Sequence, residues 1–231
     1  MPGRTPKRHS MLMVGLDGIM DERAYTFVFL ITFTSTFLTA FLALYAWRYR
    51  ETRAAASFAW LMIAVTVWSL AIAVGMISAG IEQAYFWIVV RMISVLIVPV
   101  LWLIFALEFT NNAAWPNRGY IFLLFAVPIL SLAILLTNDW HSLFITDIVY
   151  RRAGFYLIDL TWSLGPWFWV NFIYSYSLIA VGMFALLREA LRLSRQYRRQ
   201  ALAILVGALF PLVTNFILTS RWIVQLEANL D

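Results

Sequence analysis

The chain has no cysteine, only two histidines, and few charges, with Asp, Glu, Lys and Arg together making 13% of its residues. The missing cysteine excludes a disulfide framework, a thiolate metal site and a cysteine nucleophile. His9 and His141 cannot by themselves supply the three or four ligands that zinc requires, so no metal or cofactor is expected. Clustered histidines, paired carboxylates and a nucleophile with a base in reach are missing too, so no catalysis is expected of this chain. The shortage of charge says most, because soluble domains carry roughly a quarter charged residues. Here 63% of residues are hydrophobic, with 18 Phe and 11 Trp, and the mean hydropathy is +0.81. The chain is therefore read as an integral membrane protein.

A hydrocarbon core about 30 Å thick takes roughly 20 apolar residues per helix. Six runs meet that length, at about 25–47, 56–80, 85–109, 119–137, 166–187 and 200–220. Lipid leaves no partner for open backbone, so each run is expected to be a helix. The fold class is thus an all-α integral membrane bundle of six transmembrane helices, with residues 1–24 a disordered tail, 25–220 the membrane domain and 221–231 a C-terminal tail. The connection at about 138–165 is the only long one. Alternation in GFYLIDLTW, Gly154–Trp162, predicts a small β-hairpin-like loop over the bundle.

The net charge of +5 and a pI near 9.7 mark topology and not nucleic-acid binding, because the arginines sit in short connections. Arg48, Arg50 and Arg53 follow the first run, Arg118 the third, and Arg188, Arg192, Arg195, Arg198 and Arg199 the fifth. The second connection has no basic residue and the long fourth only Arg151 and Arg152. The arginine-rich side is expected to be cytoplasmic, in a prokaryotic cytoplasmic membrane, which puts the N-terminus and the hairpin outside. Arg4, Lys7 and Arg8 oppose this, and the short apolar run after them makes no signal peptide. A later start at Met11, Met13 or Met20 would remove the conflict.

Polar groups within spans need a partner or a wet cavity. Arg91, Asn171 and Asn215 all fall roughly 7 to 9 Å below the outer boundary at 1.5 Å per residue. Trp167, Asn171, Tyr174 and Ser175 share one face of the fifth helix, and Gly207, Pro211, Thr214 and Asn215 repeat that spacing on the sixth. Arg91 and Ser94 share a face of the third helix, with Val98, Trp102 and Phe105 below them. Two readings stand for these stripes: interhelical hydrogen-bond glue, or the wall of a ligand pocket formed by Arg91, Trp102, His141, Asn171, Tyr174, Thr214 and Asn215. For Arg91 the rival reading is snorkelling to headgroups. From the long loop, Trp140, His141, Asp147, Arg151, Arg152, Asp159 and Trp162 could face inward. Pro99, Pro128 and Pro211 lie near span centres, as kinks or hinges. Glu108 is expected to pair with Arg118 or with the connection after the fifth span.

VLWLIFALEFT, LLTNDWHSLF, GPWFWVNFIYSYSL and RRQALAILVGALFPLVTN, taken in order, resemble the seven-transmembrane region at the N-terminus of many prokaryotic sensor histidine kinases. The resemblance spans about residues 25–220. It implies an external N-terminus, seven helices, a cytoplasmic kinase or other output domain as partner, and a homodimer. Two departures are the absence of a seventh apolar run and of an output domain, with no phosphoacceptor helix and no Gly-rich ATP loop. The chain is therefore expected to be an input module cut short before its seventh helix, sensing a small molecule, a lipid or the state of the bilayer. The alternative is a six-helix transporter or channel subunit, although no internal repeat supports one.

Overall fold

The computed structural model describes residues 8–110, 118–153 and 157–192, with side chains described at 26–80, 82–110, 119–146 and 164–191. In chain order these form α1 (Arg8–Arg48), α2 (Arg53–Met76), α3 (Ile81–Phe109), α4 (Arg118–Leu136), the single turn α5 (Asn138–His141), strands β1 (Ile145–Ala153) and β2 (Leu157–Leu164), and α6 (Pro166–Arg192). Among the described residues five helices are long and apolar enough to cross a membrane: Thr26–Arg48, Arg53–Met76, Glu82–Phe109, Gly119–Leu136 and Pro166–Leu191. They correspond to the first five expected spans. The sixth, at 200–220, and the tail at 221–231 lie outside the described residues. Helical backbone reaches back to Arg8, through most of the segment expected to be a disordered tail. No proline breaks that extension, since none occurs between Pro6 and Pro99.

Helix limits follow local chemistry. Thr52 caps α2, its Oγ1 accepting from the Ala55 N–H at 3.4 Å. Pro166 opens α6 at the position where a missing N–H costs nothing. Thr137 ends α4 by donating its hydroxyl back to the Ala133 carbonyl at 2.8 Å.

Neighbouring spans run antiparallel. Thr66 Oγ1 donates to Thr39 Oγ1 at 3.0 Å, and the Trp47 and Trp60 rings meet edge to face at 5.5 Å, which aligns α1 with α2. The α1–α2 connection, the ends of α3 and α6 and the start of α4 thus gather at one end of the bundle. Arg48, Arg50, Arg53, Arg118, Arg188 and Arg192 belong to that end. The α2–α3 connection, α5 and the hairpin belong to the other.

Helix α3 is the centre of the packing, touching α2, α4 and α6. Half of its span is buried, against 11% of the α1 span, which packs chiefly on α2. Around α3 the core has three levels. Leu61, Trp102, Phe105, Ala106 and Leu186 fill the arginine-rich end. Val100, Leu103 and Leu178, with Tyr174 and Phe125 against them, fill the middle. Ile88, Met92, Leu96, Leu135, Phe144 and Ile145 close the far end.

Strands β1 and β2 pair antiparallel, with Tyr150 opposite Leu160, Arg151 opposite Asp159 and an irregularity between Ile145 and Ile148. The pair comes against α1 through β1 and α2 through β2.

The α3–α6 contact depends on a missing side chain. A Cβ on Gly182 would lie 2.7 Å from Trp102 Nε1 and 3.3 Å from Ala106 Cβ. Gly182→Ala is expected to destabilise the bundle by about 1–3 kcal/mol. Trp102→Phe, smaller at the point of collision, should recover part of that loss in the double variant. Thermal unfolding in detergent of the two single variants and the double variant measures both effects.

Candidate functional site

The end remote from the arginines is built around the side chain of Asn138. Leu136 completes α4, and Asn138 turns inward and is buried. Its Oδ1 accepts from the N–H groups of Phe144 at 2.9 Å and Ile145 at 3.0 Å, while its Nδ2 donates to the Ile145 carbonyl at 2.8 Å. One amide thereby satisfies three backbone groups where the chain enters β1.

The return strand closes on the same place. Gly165 donates its N–H to the Phe144 carbonyl at 2.9 Å, and Trp167 donates its N–H to the Leu143 carbonyl at 3.0 Å. A Cβ on Gly165 would fall 2.2 Å from the Leu143 oxygen, so only glycine fits. Phe144 is almost fully buried and meets Phe168 edge to face at 6.1 Å. LLTNDWHSLF and GPWFWVNF are thus two halves of one neck beneath the hairpin.

From this neck a polar chain enters the bundle. Trp167 Nε1 donates to Ser131 Oγ at 3.0 Å, and Ser131 Oγ donates to Asn171 Oδ1 at 3.4 Å. Trp167 and Asn171 are one turn apart on α6 and straddle Ser131 of α4, which is fully buried. Five residues separate Ser131 from the end of α4 and Asn171 from the start of α6, a depth of about 7–8 Å. One turn further in, Ser175 Oγ is buried and has no hydrogen-bond partner.

Tyr174 leaves this stripe for a different task. Its hydroxyl donates to the Leu124 carbonyl on α4 at 2.6 Å. In an unbroken helix that carbonyl would receive the N–H of residue 128, but residue 128 is Pro128, which has none. The phenol of α6 therefore supplies the donor that α4 lacks at mid-membrane.

Of the other expected site residues, Trp102 and His141 lie apart from the polar chain. Trp102 sits in the core at the arginine-rich end, its Nε1 donating to the Ile179 carbonyl at 3.3 Å, eleven residues along α3 from Arg91. Arg91 is half-buried beside Met92, whose level matches Leu135 and Trp167, and it is engaged. His141 is exposed and faces its own turn: Nδ1 accepts from the Leu143 N–H at 3.1 Å, which leaves Nε2–H to donate to Thr137 Oγ1 at 3.0 Å. Thr214 and Asn215 lie outside the described residues, as do the side chains of Asp147, Arg151, Arg152, Asp159 and Trp162. Glu108 stands beside Ser57 and Arg53 of α2, a neighbourhood the sequence reading did not foresee, with Oε2 buried and unpartnered. Among the described residues no three or more His, Cys, Asp or Glu side chains gather as a metal set.

Ser131 and Asn138 escaped the sequence reading. Ser131 is the sole polar residue of α4 between Tyr120 and Thr137, which is a usable signal. The orphaned carbonyl of Leu124 was also legible, since a span proline leaves the carbonyl four residues earlier without its helical N–H.

The family described as the N-terminal 7TM region of histidine kinase matches residues 31–229, most of the chain. The chain belongs to that family. No curated protein and no solved structure matches it. As a member of the histidine kinase 7TM region family it is a multi-pass membrane protein of the sensory, signal-transducing part of such receptors, distinct from the catalytic kinase domain.

If Tyr174 replaces the donor missing at Pro128, the two residues are energetically coupled. Tyr174→Phe alone should cost about 1 kcal/mol, within the 0.6–2 kcal/mol of interhelical bonds in membranes. In a Pro128→Ala background, where an N–H is restored, it should cost less than half of that. A double-variant cycle by denaturant or thermal unfolding gives the difference.

Proposed function

We propose that this region is the input module of a histidine-kinase-type receptor, and that it reads its signal at the hairpin end of the bundle. The observation that carries the reading is the chain Trp167–Ser131–Asn171, buried at Ser131 and Asn171 and ending above the unpartnered Ser175 hydroxyl. Buried polar groups in hydrocarbon are costly, and a hydroxyl left without an acceptor marks an arrangement that a ligand or a second helix packing can improve. The occupant that suits it is a small molecule or lipid that brings one acceptor to an otherwise apolar wall. A ligand that binds one arrangement of α4 and α6 more tightly shifts the population toward it by that difference alone.

The distribution of arginines supports an external hairpin and an external N-terminus, with the ends of α3 and α6 toward the cytoplasm. The path from the polar chain to that side runs along α6, through Tyr174 on α4 and Gly182 against Trp102 on α3. A cytoplasmic kinase or other output domain, in a homodimeric receptor, receives the bias.

Signalling by a full-length receptor carrying this region provides the test. Ser131→Ala with Asn171→Leu should change basal output or signal response at least severalfold, and Ser175→Ala should shift the response to signal while leaving membrane insertion intact. An unchanged dose–response in both variants rejects the reading. Orientation is separately measurable because the chain has no cysteine of its own. In intact cells Gly80→Cys, at an open position between α2 and α3, should react with an impermeant maleimide, and Arg50→Cys should react only after permeabilisation.

A further inference from the structure

The seam between α1 and α2 at the arginine-rich end has a form that packing does not require. Trp47 and Trp60 meet edge to face at 5.5 Å, yet remain 37% and 52% exposed, so the pair lies open on the periphery of the bundle. The Arg50 guanidinium stands over the Trp47 ring, with Cζ 5.0 Å from the centroid. Arg48 is exposed beside it. Neither arginine forms an ion pair among the described residues, and the connection holds one acid, Glu51, against Arg48, Arg50 and Arg53. Below the rings the apolar surface continues down both helices, through Leu44 (71% exposed) and Phe41 on α1 and Val67 on α2.

From this we infer that the Trp47–Trp60 seam is a binding site for an anionic phospholipid of the leaflet at the arginine-rich end. The chemistry divides by depth. Arg48 and Arg50 lie at the last turn of α1, where headgroups begin, and present two guanidiniums to a phosphodiester. Stacking on Trp47 holds Arg50 in place and so reduces the side-chain entropy lost on binding. The indoles form an amphipathic floor at the glycerol level, and one acyl chain follows Leu44 and Val67. A zwitterionic lipid fits the apolar part equally well but brings its own cation to the arginines. Selectivity for net negative charge therefore follows. The inference needs only insertion in the membrane and stands apart from the sensing site at the other end.

Native mass spectrometry of the full chain in detergent, with phosphatidylglycerol or phosphatidylcholine of matched acyl chains, tests it and reports the oligomeric state in the same spectrum. The wild type should retain phosphatidylglycerol in preference, and R48Q/R50Q should lower that retention at least about fivefold. R48K/R50K should keep it, since both positions are exposed and their charge is preserved. R188Q/R192Q, which removes two charges from the same end of α6, should leave it unchanged. Equal retention by R48Q/R50Q and wild type overturns the inference. Equal losses in the α1 and α6 variants also overturn it, by showing unlocalised charge attraction. So does a dimer that R48Q/R50Q converts to monomer with no change in lipid, which would make the seam a contact between copies.

Discussion

Hydrocarbon supplies no hydrogen bonds, so a polar group inside this bundle must find its partner within the protein. That rule explains why the structure's informative side chains are few and why, Ser175 Oγ and Glu108 Oε2 excepted, they reach particular atoms. Asn138 serves the backbone entering β1, Ser131 joins Trp167 to Asn171, and Tyr174 answers a carbonyl that Pro128 leaves unserved. Even the threonines of α1 obey it: the hydroxyls of Thr34 and Thr36 bond carbonyls one turn earlier on their own helix. With its polar groups spent internally, α1 can show so much of its surface to lipid.

The apolar contacts set distances and leave orientation to these bonds. Helix α3 holds its neighbours through ordinary packing of Met92, Leu96, Val100 and Leu103. Such packing is tolerant, because lipid tails are as apolar as leucine and supply no drive to one particular rotation. Rotation and register of α4 against α6 come instead from the Ser131 and Tyr174 bonds. Those two contacts are therefore where the relative position of the two helices is set.

Much of the architecture was visible in the residues. Five span positions follow from apolar run length, and their described limits differ from expectation by a few residues at caps such as Thr52. The face shared by Trp167, Asn171 and Ser175 was legible because helical spacing is rigid. What faced it was not. Periodicity places a side chain on its own helix but leaves open which neighbour it meets, so Ser131 of α4 as a partner of Asn171 could not be read from spacing. Trp102 shows the same limit: its indole is seated against α6 because residue 182 is glycine, and a contact that depends on a missing side chain leaves no mark on the partner's helix. The neck was harder still. The bonds that close it join backbone groups 21 and 24 residues apart, where side-chain patterns carry no information.

That neck has one more consequence. The chain leaves it at Phe144 and returns at Gly165, and the two edges are bonded to each other, so the loop between them is closed independently of its contents. A loop pinned at its own base can lengthen, shorten or change its strand residues at a cost that grows only with the logarithm of its length. The hairpin is in that sense an interchangeable cartridge: a lineage can rewrite what this face meets outside the membrane while the helices beneath keep their register.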